Sequence, residues 1–544
     1  VSEHARLERG DRLWLASLLL VGCLALVAFT LNARASAEGQ GDTLSLSEGG
    51  VPLDDAWIHF QFARNLARGD GLSFNPRQPT SGSTAPLWTL LLAAVYLAGG
   101  QFPIAGEVLS AVCYLATLVA TYALGKQLTG RRWAAWLAGM VIAVNGRMVW
   151  AGLSALEICL FAALSLVAIG MHLTDRSAHR YRLRTAALFG LAALSRPEGY
   201  LLFALSLADY TGNTVRATHH ASRITSYVSR LVCQIPFLPI LLFVLIILPY
   251  LLFSYQTSGH LLPNTYHAKA TFGLLPDREF RDFLGVGATY LILDNPLLLP
   301  FFLFGLILLI RRAPLLSLWC MGLPLAYAFL RASLYQHGRY LMPLIPCNAV
   351  VAAWGLLEAE KLARRRGWWR WPTLPAPAGH PPREQRGLRG VHTRSLAVLA
   401  SLLIIMGTAW RLPEMASLYA RNVEDINRMH VALGHWVKEN TPPDAILALN
   451  DIGAIAYISE RPVIDLAGLV TPEVTPALRT PEQTDQLVAF LAKRDVAYVI
   501  IFPNWFPGLA ARSDVLEEVH RVTLEDRSIT GGETMVVYRA HWRR

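Results

Sequence analysis

Apolar runs set the rhythm of the chain. They fall near residues 13–31, 104–126, 132–146, 149–173, 183–196, 197–209, 235–255, 296–310, 314–331, 340–358 and 395–411, with short polar clusters between them. Many approach the roughly 20 residues that a helix needs to cross the hydrocarbon of a bilayer. The spacing therefore predicts about eleven transmembrane helices. The run at 84–99 is ambiguous, because it can span or lie at the surface as a peripheral helix. The runs 183–196 and 197–209 are short and meet at Ser195-Arg196-Pro197-Glu198-Gly199. Proline and glycine there favour a break.

Two segments depart from this rhythm. In residues 51–66, VPLDDAWIHFQFARNL, Ile58, Phe62 and Leu66 recur on one side. Gln61, Arg64, Asn65 and Arg68 recur on the other. That is the pattern of a helix lying flat on a membrane surface, with Asp54 and Asp55 at its head. From about residue 420 the periods shorten. Residues 425–439 and 482–493 read as amphipathic helices, and 445–449, 463–466 and 496–502 as buried strands. Residues 515–524 and 534–540 alternate like outer strands. This predicts a small soluble α/β domain over 413–544 after a membrane domain over 1–412, the latter with an outer loop at 32–103. No internal repeat is visible.

Composition agrees with the pattern. The chain is 53% hydrophobic and 16% charged over 544 residues, where a soluble protein carries about 25% charge. Its mean hydropathy is +0.36. The net charge of +10 does not point to nucleic acid, because the Lys and Arg fall in clusters between apolar runs. If 84–99 does not span, one side of the membrane receives the N-terminus and all of the main basic clusters. These are Lys126/Arg131/Arg132, Arg176 to Arg184, Arg216 to Arg230, Arg311/Arg312 and the basic linker 361–394. That side is then cytoplasmic and the C-terminal domain is outside. The linker, rich in Arg, Trp and Pro, is expected to rest on anionic lipid. The ARASA after the first apolar run resembles a signal-peptidase site. The run exceeds a secretory h-region of about 7–15 residues, so it reads as an uncleaved helix. The six cysteines lie in or beside apolar runs without CxxC spacing, which argues against thiolate zinc and a disulfide framework.

On this topology five polar clusters share the outer face: Asp54/Asp55, Glu157, Arg196/Glu198, the loop with Asn264, His267 and Lys269, and His337/Arg339. Ionisable groups at membrane depth are costly and point to function. Each also has a plainer role. Asp54 can cap the following helix. Glu157 can pair with Arg147, and Arg196 with Glu198. Lys269 and Arg339 can snorkel to headgroups, and His337 can be a satisfied interfacial histidine. Asp451 and Asp465 read as caps or turn residues. Taken together, carboxylates can act as a general base or hold a divalent cation, and cationic groups can stabilise a departing phosphate. At an outward-facing site a lipid phosphate suits the donor role better than a cytoplasmic nucleotide-sugar.

DDAWIHFQFARNLARGDGLSFNP, then APLW, SALE at 154–157, LSRPEG at 194–199, LLPNTYHAK at 261–269, HGRYLMPLIP at 337–346 and NDIGAIAYISERPVIDLAGLV at 450–470 occur in that order. In this set the chain resembles the GT-C superfamily of membrane glycosyltransferases that use polyprenyl-phosphate sugars. The likeness is to its arabinofuranosyltransferase-like and protein mannosyltransferase-related branch. The resemblance implies an α-helical polytopic membrane protein with peripheral juxtamembrane helices and a small extracytoplasmic domain. It implies an inverting transfer of a sugar from a polyprenyl-phosphate donor to a glycan, lipid or protein acceptor at the outer face of a bacterial cytoplasmic membrane.

The roles carried over are catalytic for Asp54, Asp55 and Glu157. Asp54 and Asp55 are also candidate ligands of Mg, Mn or Ca. His59, Arg196, Glu198, Asn264, His267, Lys269, His337, Arg339 and Tyr340 are substrate contacts. Two departures stand out. A Gly/Ser-rich stretch separates the first helix from Asp54, and SALE stands where the family pattern has SGME, keeping the acid and losing a glycine. A flippase or transporter of lipid-linked glycans, or an inactive scaffold, are the alternatives. The clustering at one face and the lack of a repeat favour the enzyme.

Overall fold

The computed structural model describes residues 8–40, 49–217, 235–265, 280–330, 335–366, 397–478 and 482–542. Helices dominate the first part. Among the described residues, six are long and apolar enough to cross a membrane: Arg9–Glu38, Ile104–Thr129, Ile158–Ser177, Phe237–Ser258, Gln336–Arg366 and the run beginning at Ala397. The pair Arg132–Ala143 and Gly146–Leu153, bent by 63°, makes a further broken span. This set is smaller than the eleven spans expected, because several of the apolar runs form shorter or broken helices. The run at 149–173 is split, and Leu183–Ser195, Leu299–Arg312 and Pro314–Phe329 are short helices. The break near 145 comes from Asn145, whose side-chain oxygen caps the next helix at Met148 N (3.0 Å). Pro86–Leu97 has 12 residues, about 18 Å of helix, too short to span. Helix Phe280–Asp294 was not expected at all.

The membrane part is apolar outside as well as in its core, and its polar side chains within the bundle are buried. Leu20, Leu24, Val27, Leu245, Leu252, Ile307, Leu402 and Met406 are exposed, while Thr117, Thr121, Ser110 and Ser165 are buried. Lipid as solvent demands this placement, since a polar group facing hydrocarbon has no partner, whereas Ser110, Thr117 and Thr121 donate to backbone carbonyls inside the bundle. Small residues allow close helix contact. A Cβ on Gly355 would lie 1.9 Å from the Phe301 carbonyl of the neighbouring helix.

Charged side chains gather at the two ends of the bundle. At one end the buried Asp11 accepts from Tyr122 (2.8 Å), Lys126 (2.6 Å) and Arg132 (3.0 Å). Gln127 reaches Thr174 (3.0 Å), and Arg176 donates to the Arg312 carbonyl (3.3 Å), so the basic ends of these helices lie together. The acidic residues singled out above lie at the other end. The basic linker falls largely outside the described residues.

Strands β1 (Leu447–Leu449), β2 (Val463–Asp465), β3 (Tyr498–Ile501), β4 (Leu516–Thr523) and β5 (Thr534–Ala540) form one sheet in the order β2-β1-β3-β5-β4. β1 is parallel to β2 and β3, and β5 is antiparallel to β3 and β4. β5 is therefore internal, not an outer strand, and Met535 to Tyr538 are buried. Alternate residues feed two apolar layers. One takes Leu447, Ile500 and Val537, the other Ala448, Val499 and Val536. Phe62 and Phe74 of the outer loop enter the first layer. The Asn75 amide pairs with both backbone groups of Val463 (2.8 and 2.9 Å). The sheet domain is thus docked on the outer loop. Helix Leu412–Ile426 leads into it and packs on the first helix through Phe29 and Tyr419, 5.9 Å between centroids.

Candidate functional site

Asp54 and Asp55 are adjacent in sequence and have different partners. Asp54 already has helical angles and makes no side-chain cap to the helix Asp55–Arg68 that it precedes. Its carboxylate instead accepts from Gly453 N (2.7 Å) and Ala454 N (2.8 Å), capping the helix Gly453–Ser459 of the sheet domain. Only glycine fits at 453, where a Cβ would lie 2.2 Å from the Asp54 carbonyl. Burial pushes the Asp54 carboxyl up to about 6; His430 opposes this and Asp451 adds to it. His430, fully buried, meets Asp451 at 3.0 Å. Its own burial lowers its pKa, but Asp54, Asp451 and Asp425 outweigh this and raise it.

Asp55 opens a second network. Its Oδ2 accepts from the Arg339 guanidinium at 2.6 Å, and its side chain is 39% exposed, whereas that of Arg339 is buried. Arg339 lies 5.2 Å from the centre of the Tyr340 ring, and Arg196 faces the same ring at 5.6 Å. Arg196 donates to Glu157 Oε1 (2.7 Å) and to Glu198 Oε1 (2.9 Å), and Tyr327 donates to the same Glu198 oxygen. Glu157 faces His59 at 3.6 Å, closing the circuit onto the helix that begins with Asp55. Burial lowers the pKa of His59, against the pull of Glu157 and Asp55, and among the described residues its buried Nδ1 has no hydrogen-bond partner. Four chain segments thus bring cations and carboxylates alternately to one end of the bundle, and Tyr327 joins them from a fifth.

Local sequence explains how these side chains get there. The Pro197 break turns the chain between Leu183–Ser195 and Glu198–Ala217, leaving Arg196 and Glu198 to point inward as an ion pair. Ala155, just before Glu157, has φ 54°. The left-handed turn that glycine favours is kept with alanine in its place, at a cost of about 1 kcal/mol. Its carbonyl is held by Trp88 Nε1 (3.1 Å). Glu157 does not pair with Arg147, which binds Asp294 (2.7 Å) instead.

Of the remaining expected residues, His337 and Asn264 lie apart from this circuit. His337 Nε2 contacts Asn422 Oδ1 (2.8 Å), and its ring meets Trp150 edge-on at 5.4 Å. Asn264 is buried and docks on the outer loop through Ser81 O (3.2 Å) and Thr80 Oγ1 (3.4 Å). His267 and Lys269 lie outside the described residues. Asp465 is a turn residue, accepting from Ala467 N (2.8 Å) and Val470 N (2.9 Å). Sequence reading missed Tyr327, an aromatic in an apolar helix, and Asn422, a polar residue in an amphipathic one.

The Asp54/Asp55 pair does not fit a shared divalent cation as it stands. Both Asp54 oxygens accept from backbone N–H groups, and the Asp55 oxygen is taken by a guanidinium. Among the described residues no three His, Cys, Asp or Glu side chains gather as a ligand set.

Residues 418–542 match a domain of unknown function, DUF8728. No curated protein matches the chain. Among solved structures it is similar to ArnT from Cupriavidus metallidurans, both in the apo state and bound to undecaprenyl phosphate. The identity is 13%, the TM-score 0.59, and the match covers 96% of this chain and 98% of that one. It is also similar to the oligosaccharyltransferase of Archaeoglobus fulgidus, at 13% identity and a TM-score of 0.54 over 89% of this chain and 67% of that one. Mycobacterial arabinofuranosyltransferase AftD matches at 15% identity with a TM-score of 0.48, over 98% of this chain and 40% of that one. A multi-pass helical bundle, a broken helix at Arg196, the helix Asp55–Arg68 and a small α/β domain docked beside it therefore stand together in one architecture, and this chain has the GT-C fold, as ArnT and the archaeal oligosaccharyltransferase do.

Proposed function

We propose that the protein is an inverting glycosyltransferase that moves a sugar from a polyprenyl phosphate to a glycan, lipid or protein acceptor. The reaction takes place at the outer face of a bacterial cytoplasmic membrane, with the N-terminus cytoplasmic and the soluble domain outside. The observation that carries this reading is the alternation Asp55–Arg339–Tyr340–Arg196–Glu157–His59 at one end of a membrane bundle, opposite the basic end. The similarity to a structure bound to undecaprenyl phosphate supports the donor class.

In this reading Asp55, the more open of the two aspartates, is the base. It takes the proton of the acceptor hydroxyl as that oxygen attacks the anomeric carbon. The bond from that carbon to the phosphate oxygen breaks, its electron pair leaves with the polyprenyl phosphate, and the configuration inverts. Arg339 turns from Asp55 to the phosphate, which frees the carboxylate, and Arg196 adds a second cation at the leaving group. Glu157 and Glu198 orient Arg196. His59, held uncharged by burial, offers a hydrogen bond to the sugar. Asp54 serves as the clasp of the soluble domain rather than as a base.

The test is transfer from a labelled polyprenyl-phosphate sugar by the purified full chain in lipid nanodiscs. Asp55→Asn is expected to lower turnover by about 10²–10⁴-fold. Full activity in Asp55→Asn and in Glu157→Gln sinks the reading.

A further inference from the structure

Arg339 follows a turn that does not hold itself. Gln336 (φ 57°, ψ 53°), His337 (φ 61°, ψ 24°) and Gly338 (φ 65°, ψ 37°) are three consecutive left-handed residues, and two of them carry a Cβ. Side-chain-bearing residues leave this region unless the surroundings fix them.

Two grips fix this turn. From the membrane part, Arg147 Nε donates to the His337 carbonyl (2.9 Å) and its terminal nitrogen to the Gly338 carbonyl (3.1 Å), with Asp294 behind it (2.7 Å). From the helix that leads into the sheet domain, Asn422 Oδ1 lies 2.8 Å from His337 Nε2 and 3.0 Å from Trp150 Nε1. An indole nitrogen only donates, so the Asn422 atom facing it is the oxygen, and His337 Nε2 carries the hydrogen. The Asn422 Nδ2 donates to Ser528 Oγ (2.8 Å), and Ser528 in turn donates to Asp425 (2.8 Å). Asn422 is fully buried. A chain of hydrogen bonds therefore runs from a loop of the sheet domain to the residue two positions before Arg339.

We infer that Asn422 is a positioning residue. Through His337, the sheet domain keeps the 336–338 turn left-handed and so aims the Arg339 guanidinium at the lipid-phosphate position. The inference rests on the phosphate-contact role proposed above for Arg339. It gives the soluble domain a part in donor binding without contact with the donor.

The experiment uses the full chain in nanodiscs and free polyprenyl phosphate as the probe, with transfer kinetics alongside. Asn422→Leu and His337→Phe are each expected to weaken lipid-phosphate binding and to raise the KM for the donor about tenfold, with a smaller change in kcat. The double variant is expected to lose no more than either single one, because both cut the same link. His337→Phe does not touch the sheet domain, so it keeps the test open if Asn422→Leu folds poorly. Arg339→Ala is the control. If it leaves lipid-phosphate binding unchanged, the role of Arg339 fails. If it abolishes binding while both turn variants bind as the wild type does, or if the two losses add, the positioning inference fails.

Discussion

Asp54 and Ala454 stand 400 positions apart in the chain and are joined by a 2.8 Å hydrogen bond. The acid that heads the outer helix thereby spends its oxygens on the soluble domain, while its neighbour Asp55 remains accessible beside Arg339. Asp54→Ala leaves two buried backbone N–H groups without an acceptor, a loss of about 2–4 kcal/mol. Asp55→Asn keeps an acceptor for Arg339 and changes stability by less than about 1 kcal/mol. Thermal unfolding and limited proteolysis of the soluble domain, set beside transfer rates, check this division. Asp54→Ala is expected to loosen the domain, and Asp55→Asn to stop transfer in a stable protein. The reverse pattern overturns the assignment of roles.

The cluster around Asp54 gives the docked domain a pH dependence of defined sign. The Asp54 carboxyl is raised from 3.8 to about 6 by burial, and His430 is raised above 6.5 by Asp54, Asp451 and Asp425. Both groups bind their protons more tightly in the folded protein than in the unfolded chain. Their contribution to stability is complete below about pH 4 and is lost as the pH rises through about 6 for Asp54 and through the raised value of His430. The unfolding temperature of the soluble domain is therefore expected to be higher at pH 5 than at pH 8, with the acidic part of the slope flattened in Asp54→Asn. A midpoint that climbs from pH 5 to pH 8 contradicts this.

Much of the architecture was legible in the chain. The apolar runs, the helix at 55–68 and the strands of the C-terminal domain follow from periodicity, and the break at Arg196 follows from Pro197 and Gly199. The polar side of that helix is not at a surface as its pattern suggested, because Gln61, Arg64 and Asn65 are buried against the protein. Long-range partnership was not legible. Nothing near Asp54 signals Gly453, and a seven-residue helix such as Gly453–Ser459 has too few turns for a period to show. Helix Phe280–Asp294 escaped because Arg281, Asp282 and Asp294 interrupt its apolar pattern. The pairing of Arg147 with Asp294 rather than Glu157 depends on that helix. Five candidate segments could be named from their chemistry, but which side chains touch was set by packing.

Ala155 carries a cost that can be removed. Its φ of 54° is unfavourable for an alanine and neutral for a glycine. Ala155→Gly is therefore expected to stabilise the protein by about 0.5–1 kcal/mol, less the greater freedom that glycine gives the unfolded chain. Glu157, two residues on, keeps its place, and transfer is unchanged. A melting curve and a rate measured on the same preparation decide it. A loss of stability shows that the alanine methyl is needed for packing beside Gly106, whose added Cβ would lie 3.2 Å from it.

Arg196 spans two carboxylates at once, meeting Glu157 at 2.7 Å and Glu198 at 2.8 and 2.9 Å, with all three side chains buried. Arg196→Ala leaves two buried carboxylates facing each other without a cation, which costs about 3–5 kcal/mol. Arg196→Lys keeps one charge, but an ammonium on a single stem cannot repeat the planar fork. Its stability loss is expected to stay below about 2 kcal/mol, while transfer falls about 10–100-fold, chiefly through the KM for the lipid-phosphate donor. Comparing the two variants separates the charge from the geometry. Wild-type kinetics in Arg196→Lys show that only the charge matters, and equal instability in both variants shows that the fork is needed for folding before any donor is bound.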